Sequence, residues 1–594
     1  MKQFFKTVLA VIVAMMIVSL LNTIMFVMMV AGLGLSSSAS TEIKDGSALV
    51  IDMSTITLAE QTQESNPMNS VTNQGTTSMV GVLDLNRSLK AAATDKRIDY
   101  ILIKADGASG GMAQMEEFRK ALAQFHECGK PIIAYTENPS NGSYYIASVA
   151  DKIYMTSSEG GMNTVVGLSA RMFFLKDILD KLGVNVQLIR HGKYKSAGEM
   201  YIRNEISPEN RQQYEAMISS VWGKWSEEMA ASRNMSADDL NGLIDNLMLN
   251  LPEDFLKCGL VDELVTKGEL YDKLASYGGV ENFDDAAMVY IEDYIAANAP
   301  KPSIFKDKIA VIYADGNIVD GFQKDQVAGD NFAKIIADVR KDDLVKAVVL
   351  RVNSPGGSVL ASEKIKNELD LLCEKKPVVA SYGNYAASGG YWISNGCQKI
   401  YTDNSTLTGS IGVFSMIPDF SKTVKNLAHV NVTSINSNAH SDMYNLMRPL
   451  DTRELAYMQK SVEVIYDRFV NLVADGRSLT PDFVDSIAQG RVWAGSDALE
   501  IGLVDEIGTL EDALKYAATL ADTETSSDLS NYYVEAYPKP RTAVEQILEM
   551  VSGSDDRQIL AGTPFESIES AFRHFSENKA GVVYARLPYE LVIE

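Results

Sequence analysis

Short runs of β-branched and aliphatic residues alternate with stretches of helical period along most of the chain. Ala347-Val-Val-Leu-Arg-Val352 reads as a buried strand, Ser354-Pro-Gly-Gly-Ser358 as a turn, and Glu363 to Leu372 as the helix after it. Pro377-Val-Val-Ala380 is the next strand, and a second Gly-rich turn opens another helix. Strands separated by helices of this length predict βαβ units and a mainly parallel sheet, an α/β fold. Two longer amphipathic helices are expected at Pro208 to Arg233 and Asp451 to Asp475.

The pattern breaks at the N-terminus. No charge occurs from Thr7 to Thr41, and Val8 to Leu35 is apolar almost throughout. A helix over that stretch exceeds the ~30 Å hydrocarbon core of a bilayer, and it is longer than the apolar region of a signal peptide, about 7–15 residues. Residues 8–35 are therefore expected to anchor the chain in a lipid bilayer, with the small residues Ser36 to Ser40 leaving cleavage as an alternative. Lys2 and Lys6 place the N-terminus in the cytoplasm and the rest outside, in a bacterial periplasm.

The remainder repeats itself at a spacing of about 245 residues. Ile98 to Asp106 matches Val345 to Asn353, Lys130 to Tyr135 matches Lys376 to Ser381, Tyr144 to Tyr154 matches Tyr391 to Tyr401, and Gly259 to Leu264 matches Gly502 to Ile507. The expected organisation is an N-terminal tip and anchor over 1–41, a first domain over 42–300, a second over 301–525, and a C-terminal extension over 526–594. The join lies near Ala297 to Ser303, and nothing beyond about residue 520 has an evident counterpart in the first half.

Composition narrows the function. The chain is 46% apolar and 22% charged with a formal net charge of −24, so it is globular and lacks the cations a nucleic-acid partner requires. Cys128, Cys258, Cys373 and Cys397 form no CxxC pair and are expected to be small buried apolar residues. There is no His-Glu-x-x-His or other metal-ligand spacing, and no cofactor is expected.

Two Gly-rich turns carry the candidate chemistry. Asn353-Ser-Pro-Gly-Gly-Ser358 and Tyr385-Ala-Ala-Ser-Gly-Gly-Tyr391 each follow a strand. At such a turn Ser388 presents its hydroxyl at the carboxyl end of the sheet, with the N–H of Gly389 beside it. Gly356 and Gly357 on the neighbouring turn can supply a second N–H, completing an oxyanion hole whose single donors are worth about 3–4 kcal/mol. A serine needs a base. None of the five histidines lies in a recognisable triad context, which leaves lysine, with a candidate run in Gly192-Lys-Tyr-Lys-Ser-Ala-Gly198.

These runs, with Thr406-Leu-Thr-Gly-Ser-Ile-Gly412, resemble the signal peptide peptidase A family in its long, tandem-repeat form, over nearly the whole chain. The resemblance implies a Ser/Lys-dyad endopeptidase that degrades remnant signal peptides, on a fold like those of the Clp protease subunit and the crotonases. It implies Ser388 as nucleophile, Lys195 as general base, Ser410 as the residue orienting the lysine amine, and a homotetramer. By the Tyr144/Tyr391 alignment Asn141 stands where Ser388 does, 54 positions before Lys195, while residues 426 to 459 contain no lysine. Each half has lost what the other keeps, so a working site must be assembled across the copies, within one chain or between chains. At the usual lysine pKa of about 10.4 only about 0.04% of the amine is neutral at pH 7, and burial between the copies is expected to correct this. The apolar run Ile411 to Ile417 either borders a peptide groove or is a core strand. The rival readings are a non-catalytic membrane scaffold and a crotonase-type acyl-CoA enzyme.

Overall fold

Two parallel sheets share one strand order. A computed structural model describes residues 15, 42–63, 77–300, 303, 306–323, 326–522, 529–540 and 582–587. In the first sheet Glu263–Val265, Lys152–Thr156, Ile132–Thr136, Ile98–Lys104, Ser47–Asp52 and Met288–Tyr290 lie side by side, all parallel. In the second, Glu506–Ile507, Lys399–Thr402, Val378–Ala387, Val345–Ser354, Lys308–Asp315 and Tyr533–Tyr537 follow in the same order, again parallel. The central strands read as unbroken apolar runs because helices cover both faces. Ile101, Ile103, Val348 and Leu350 are fully buried.

Helix Met112–Phe125 follows its strand in the first half as Val359–Cys373 does in the second. The long helices are Pro208–Ser232 and Thr452–Arg477, capped by the side chains of Ser207 and Asp451. Their buried residues recur at helical spacing, Val221, Trp225 and Met229 in one and Val462, Tyr466 and Val473 in the other.

Several expectations change. Strand Val378–Ala387 runs through the residues expected to turn, because Tyr385–Ala387 pairs with Leu407–Gly409 beyond the end of Lys399–Thr402. Gly356–Ser358 is likewise strand rather than open turn, and its helix starts at Val359, where Ser358 Oγ accepts from Ala361 N–H at 3.3 Å. Tyr533–Tyr537 joins the edge of the second sheet as Met288–Tyr290 joins the first, so the segment beyond residue 520 does have a counterpart. Short length and weak apolar character hid that match. Of the cysteines, all free, only Cys397 is buried; Cys128 is exposed and the other two are intermediate. Residues 8–35, apart from Met15, lie outside the described residues, and among the described residues no helix is long and apolar enough to cross a membrane.

The halves are tied by strand pairing and by buried charge. Asn185–His191 from the first half pairs antiparallel with Val413–Asp419 from the second across seven residues of each. That second strand is buried at every position. Arg351, wholly buried in the second sheet, reaches Glu60 at 2.6 Å and Glu117 at 2.7 Å, both in the first half. Lys120 reaches Asp403 at 2.8 Å, and Trp225 Nε1–H donates to Ser405 Oγ at 3.0 Å.

Candidate active site

The seam between the halves delivers Lys195 to Ser388. Strand Asn185–His191 ends four residues before Lys195, and its pairing with Val413–Asp419 fixes where the following loop lies. Gly192 and Gly198 bracket that loop with φ of +104° and +92°. Tyr194 N–H donates to Gln489 O at 2.9 Å, and a Cβ on Gly192 would overlap that same carbonyl. Gln213 Nε2–H donates to Tyr194 O and to Ser196 Oγ, both at 3.2 Å, while Arg190 donates to Lys195 O at 2.6 Å. Gly490 closes the other side, since a Cβ there would stand 2.6 Å from the Lys195 Cβ.

Lys195 has no exposed surface, and neither has Ser388 or Ser410. Its Nζ lies 2.7 Å from Ser388 Oγ, 3.0 Å from Ser410 Oγ and 3.1 Å from Ser410 O. Burial, with no carboxylate to offset it, holds the amine well below the ordinary lysine range. A neutral amine has two N–H donors and one lone pair. The two oxygens of Ser410 can take the donors, and the Ser388 hydroxyl can give its proton to the lone pair.

Ser388 sits at the start of helix Gly389–Ser394 with φ +55° and ψ −111°, a conformation rare for a residue bearing a Cβ. Its N–H donates to Gly409 O at 2.8 Å, which fastens the strained turn to the neighbouring strand. Ser410 has φ +49° and is held by its N–H to Arg491 O at 2.7 Å. Gly356, at φ +97°, packs so closely that a Cβ would stand 2.6 Å from the Gly389 nitrogen. Gly357 lies opposite Ala585 in the strand pair Gly356–Ser358 with Tyr584–Arg586. All six residues expected at the site, Lys195, Gly356, Gly357, Ser388, Gly389 and Ser410, therefore meet in one place.

Matches to a family model fall once in each half. The model of peptidase family S49 covers residues 124–281 and 370–524. The chain belongs to peptidase family S49. Among S49 relatives, Protease 4 of Haemophilus influenzae is 35% identical over 77% of this chain and 75% of its own length. The chloroplastic serine protease SPPA of Arabidopsis thaliana is 28% identical over 84% of this chain and 74% of its own. This S49 chain is a serine protease with a duplicated α/β domain. A ClpP1 structure from Listeria monocytogenes overlays 34% of the chain and 93% of its own length at a TM-score of 0.23 and 14% identity, too low to carry an argument.

Supporting residues of the site escaped the sequence reading. Gln213, Arg190 and Gly490 hold the lysine loop but belong to no motif. Gly490 alone left a trace, as a glycine just past a helix end. His440, Asp451 and Glu454 bring possible metal-ligand atoms within 4.8 Å of one another. Arg448 occupies both oxygens of Glu454 at 2.6 and 2.7 Å, which makes the group an ion-pair network at a helix start.

Proposed function

We propose that this S49 protease is an endopeptidase using Ser388 as nucleophile and Lys195 as general base, one from each half of a single chain. The observation that carries the reading is a wholly buried lysine amine 2.7 Å from the hydroxyl of a serine in a strained turn. Lys195 Nζ takes the Ser388 proton as Oγ adds to a peptide carbonyl carbon. The developing oxyanion lies against the N–H groups of Gly357 and Gly389, with Gly356 leaving room for it. The ammonium returns the proton to the leaving amine, and water hydrolyses the ester. Ser410 keeps the amine aimed throughout.

A peptide would enter as a strand between Gly356–Ser358 and Val413–Asp419, which favours backbone recognition over sequence readout. Short apolar peptides, remnant signal peptides among them, are the substrates this reading assigns. Anchoring through residues 8–35, a periplasmic body, the division near residue 300 and assembly as a homotetramer belong to the same reading and rest on the sequence. Hydrolysis of a short apolar peptide by the wild type, Ser388→Ala and Lys195→Ala, alongside labelling by a fluorophosphonate probe, tests it. Wild type should label at Ser388 and hydrolyse without coenzyme A; an unlabelled Ser388 would restore the scaffold reading, and a requirement for acyl-CoA the crotonase one.

A further inference from the structure

The first half keeps a cleft where the second half has its candidate active site. Met112 opens a helix as Val359 does, so Ser109 and Gly110 correspond to Gly356 and Gly357. Gly142, next to Asn141, corresponds to Gly389. These first-half residues border a cavity of about 360 Å³, at the small end of the ~300–1,000 Å³ usual for ligand sites. Ser109 and Gly110 at its rim are exposed, whereas Met115, Trp225 and Ser405 are buried. Both polar ends of Asn141 are committed, Oδ1 to the N–H groups of Val166 and Gly167 and Nδ2–H to Gly167 O at 2.9 Å, so the cleft holds no nucleophile at that position.

The lining indicates what the cleft would hold. None of the described residues around the cavity is charged, so a phosphate, a free terminus or a metal ion would find no counter-charge there. Met112, Met115, Trp225 and Tyr385 give it apolar walls. The thioethers adapt to different shapes. The Trp225 ring is fixed, stacked on Tyr145 at 4.1 Å with its Nε1–H given to Ser405 Oγ at 3.0 Å. Two donors are left over. Asn384 Oδ1 accepts from the N–H groups of Ala113 and Gln114, but the Asn384 side-chain N–H groups and the hydroxyl hydrogen of the wholly buried Ser405 have no acceptor among the described residues. A guest with an apolar side chain and carbonyl oxygens satisfies both features. A peptide segment is such a guest, and peptides are what an S49 protease meets. Asn384 and Tyr385 belong to the strand that leads to Ser388, and Tyr385 also packs with Tyr214, Met217 and Ala387.

We propose that this cavity is a second, non-catalytic peptide site. It takes an uncharged apolar segment, the side chain against Met112, Met115 and Trp225 and backbone carbonyls on Asn384 Nδ2–H and Ser405 Oγ–H. The duplicated cleft thus binds without cutting, and a long apolar peptide held there stays close to the strand that carries Ser388. The site stands or falls independently of the Ser388/Lys195 reading, because none of its residues belongs to the dyad.

Photo-crosslinking of the full chain with acetyl-leucyl-para-benzoylphenylalanine amide, mapped by peptide mass spectrometry, tests this. Saturable adducts on helix Met112–Phe125, at Met112 or Met115, are expected. Acetyl-leucyl-phenylalanine amide should compete for them and acetyl-aspartyl-glutamate amide should not. Gly142→Leu fills the cavity from one wall; a Cβ there meets only the end of the Met115 side chain, 3.0 Å from its sulfur. That variant should lose these adducts at least tenfold while adducts elsewhere persist, with its fold checked by circular dichroism. Should it fail to fold, Ser405→Ala supplies the reading, with the half-saturating probe concentration raised about fivefold for one lost hydrogen bond. No saturable adduct at Met112 or Met115, adducts that survive both variants, or equal competition by the acidic dipeptide would overturn the proposal. None of these results bears on the dyad, which fluorophosphonate labelling of Ser388 reads separately.

Discussion

Asn141 and Ser388 occupy the same place in two copies of one fold, and almost everything around them differs. The equivalence survives in the structure: the Tyr144 hydroxyl donates to Leu260 O and the Tyr391 hydroxyl to Leu503 O, each at 2.7 Å, three residues further along. Asn141 is the first residue of helix Asn141–Ala147, whereas Ser388 is held outside its helix at positive φ. Asn141 Oδ1 accepts from the N–H groups of Val166 and Gly167, both at 3.0 Å, so the side chain braces a loop. A cavity of about 360 Å³ remains beside it. Asn384 from the second half reaches into this region, its Oδ1 accepting from Ala113 N–H at 3.0 Å, and so takes up a backbone donor there. The contrast teaches that a strained turn and a desolvated amine go together at Ser388 and are both absent at Asn141. On the proposed reading the first half keeps the loop that carries the base and uses the rest as support.

Removing the hydroxyl should break the contrast most completely. Ser388→Ala is expected to lower kcat by about 10⁴-fold or more with the fold intact, read as peptide hydrolysis and circular dichroism. Both copies would then be equally inert, and residual activity above a hundredth of wild type would place the nucleophile elsewhere.

Lys195→Ala comes next, with a loss of about 10²–10⁴ in kcat, the usual range for a general base. Two pH experiments separate catalysis from packing. Activity should rise with pH through an inflection well below the ordinary lysine value, because burial depresses Lys195. Stability should carry the linked sign. Between the depressed folded value and the unfolded value of about 10.4 the unfolded chain binds more protons, so stability rises with pH across that window. Lys195→Met should therefore raise Tm at neutral pH, with the gain shrinking as pH approaches about 10.4. A gain that does not change with pH would mean the lysine is not neutral in the folded chain.

The seam that joins the copies can be weakened without touching the dyad. Arg351→Ala leaves Glu60 and Glu117 buried without their cation, and a cost of about 3–5 kcal/mol in unfolding free energy is expected by denaturant titration. This contact also marks where sequence reading ended. The parallel sheets and the long helices were legible because apolar period is a local signal, whereas the pairing of Ser388 with Lys195 was expected from the family resemblance of their motifs. Arg351 sits inside the apolar run Val345–Ser354, and nothing in its neighbourhood names partners 291 and 234 positions earlier. The strand at Tyr533–Tyr537 and the tail at Tyr584–Arg586 were missed for a related reason. Their pairing comes from backbone edges distant in sequence, whereas the turn glycines read as turns only because their strand partners were out of view.

Ser410→Ala is a finer cut, expected to cost about tenfold in kcat, the scale of one hydrogen bond to a polar partner. Lys195 Nζ keeps the Ser410 carbonyl at 3.1 Å and loses the hydroxyl at 3.0 Å. Ser410→Thr should recover part of the loss, which a purely structural role for the residue would not explain.

The smallest expected effect is the most direct test of the comparison. Asn141→Ser restores the missing hydroxyl to the first half, and placed on Ser388→Ala it should restore no hydrolysis. Position 141 lies in a regular helix, the Lys195 amine lies against Ser388 and Ser410, and the nearby donor on Ala113 is taken by Asn384. The substitution should instead cost about 1 kcal/mol of stability, because the N–H groups of Val166 and Gly167 lose the oxygen they share. Recovery of even a few percent of wild-type hydrolysis in Asn141→Ser/Ser388→Ala would mean that a hydroxyl alone separates the two copies. Continued inactivity with the stability loss would mean that the backbone around position 141 had been rebuilt for support, so that regaining a second site would require changing the turn, the lysine and Asn384 together.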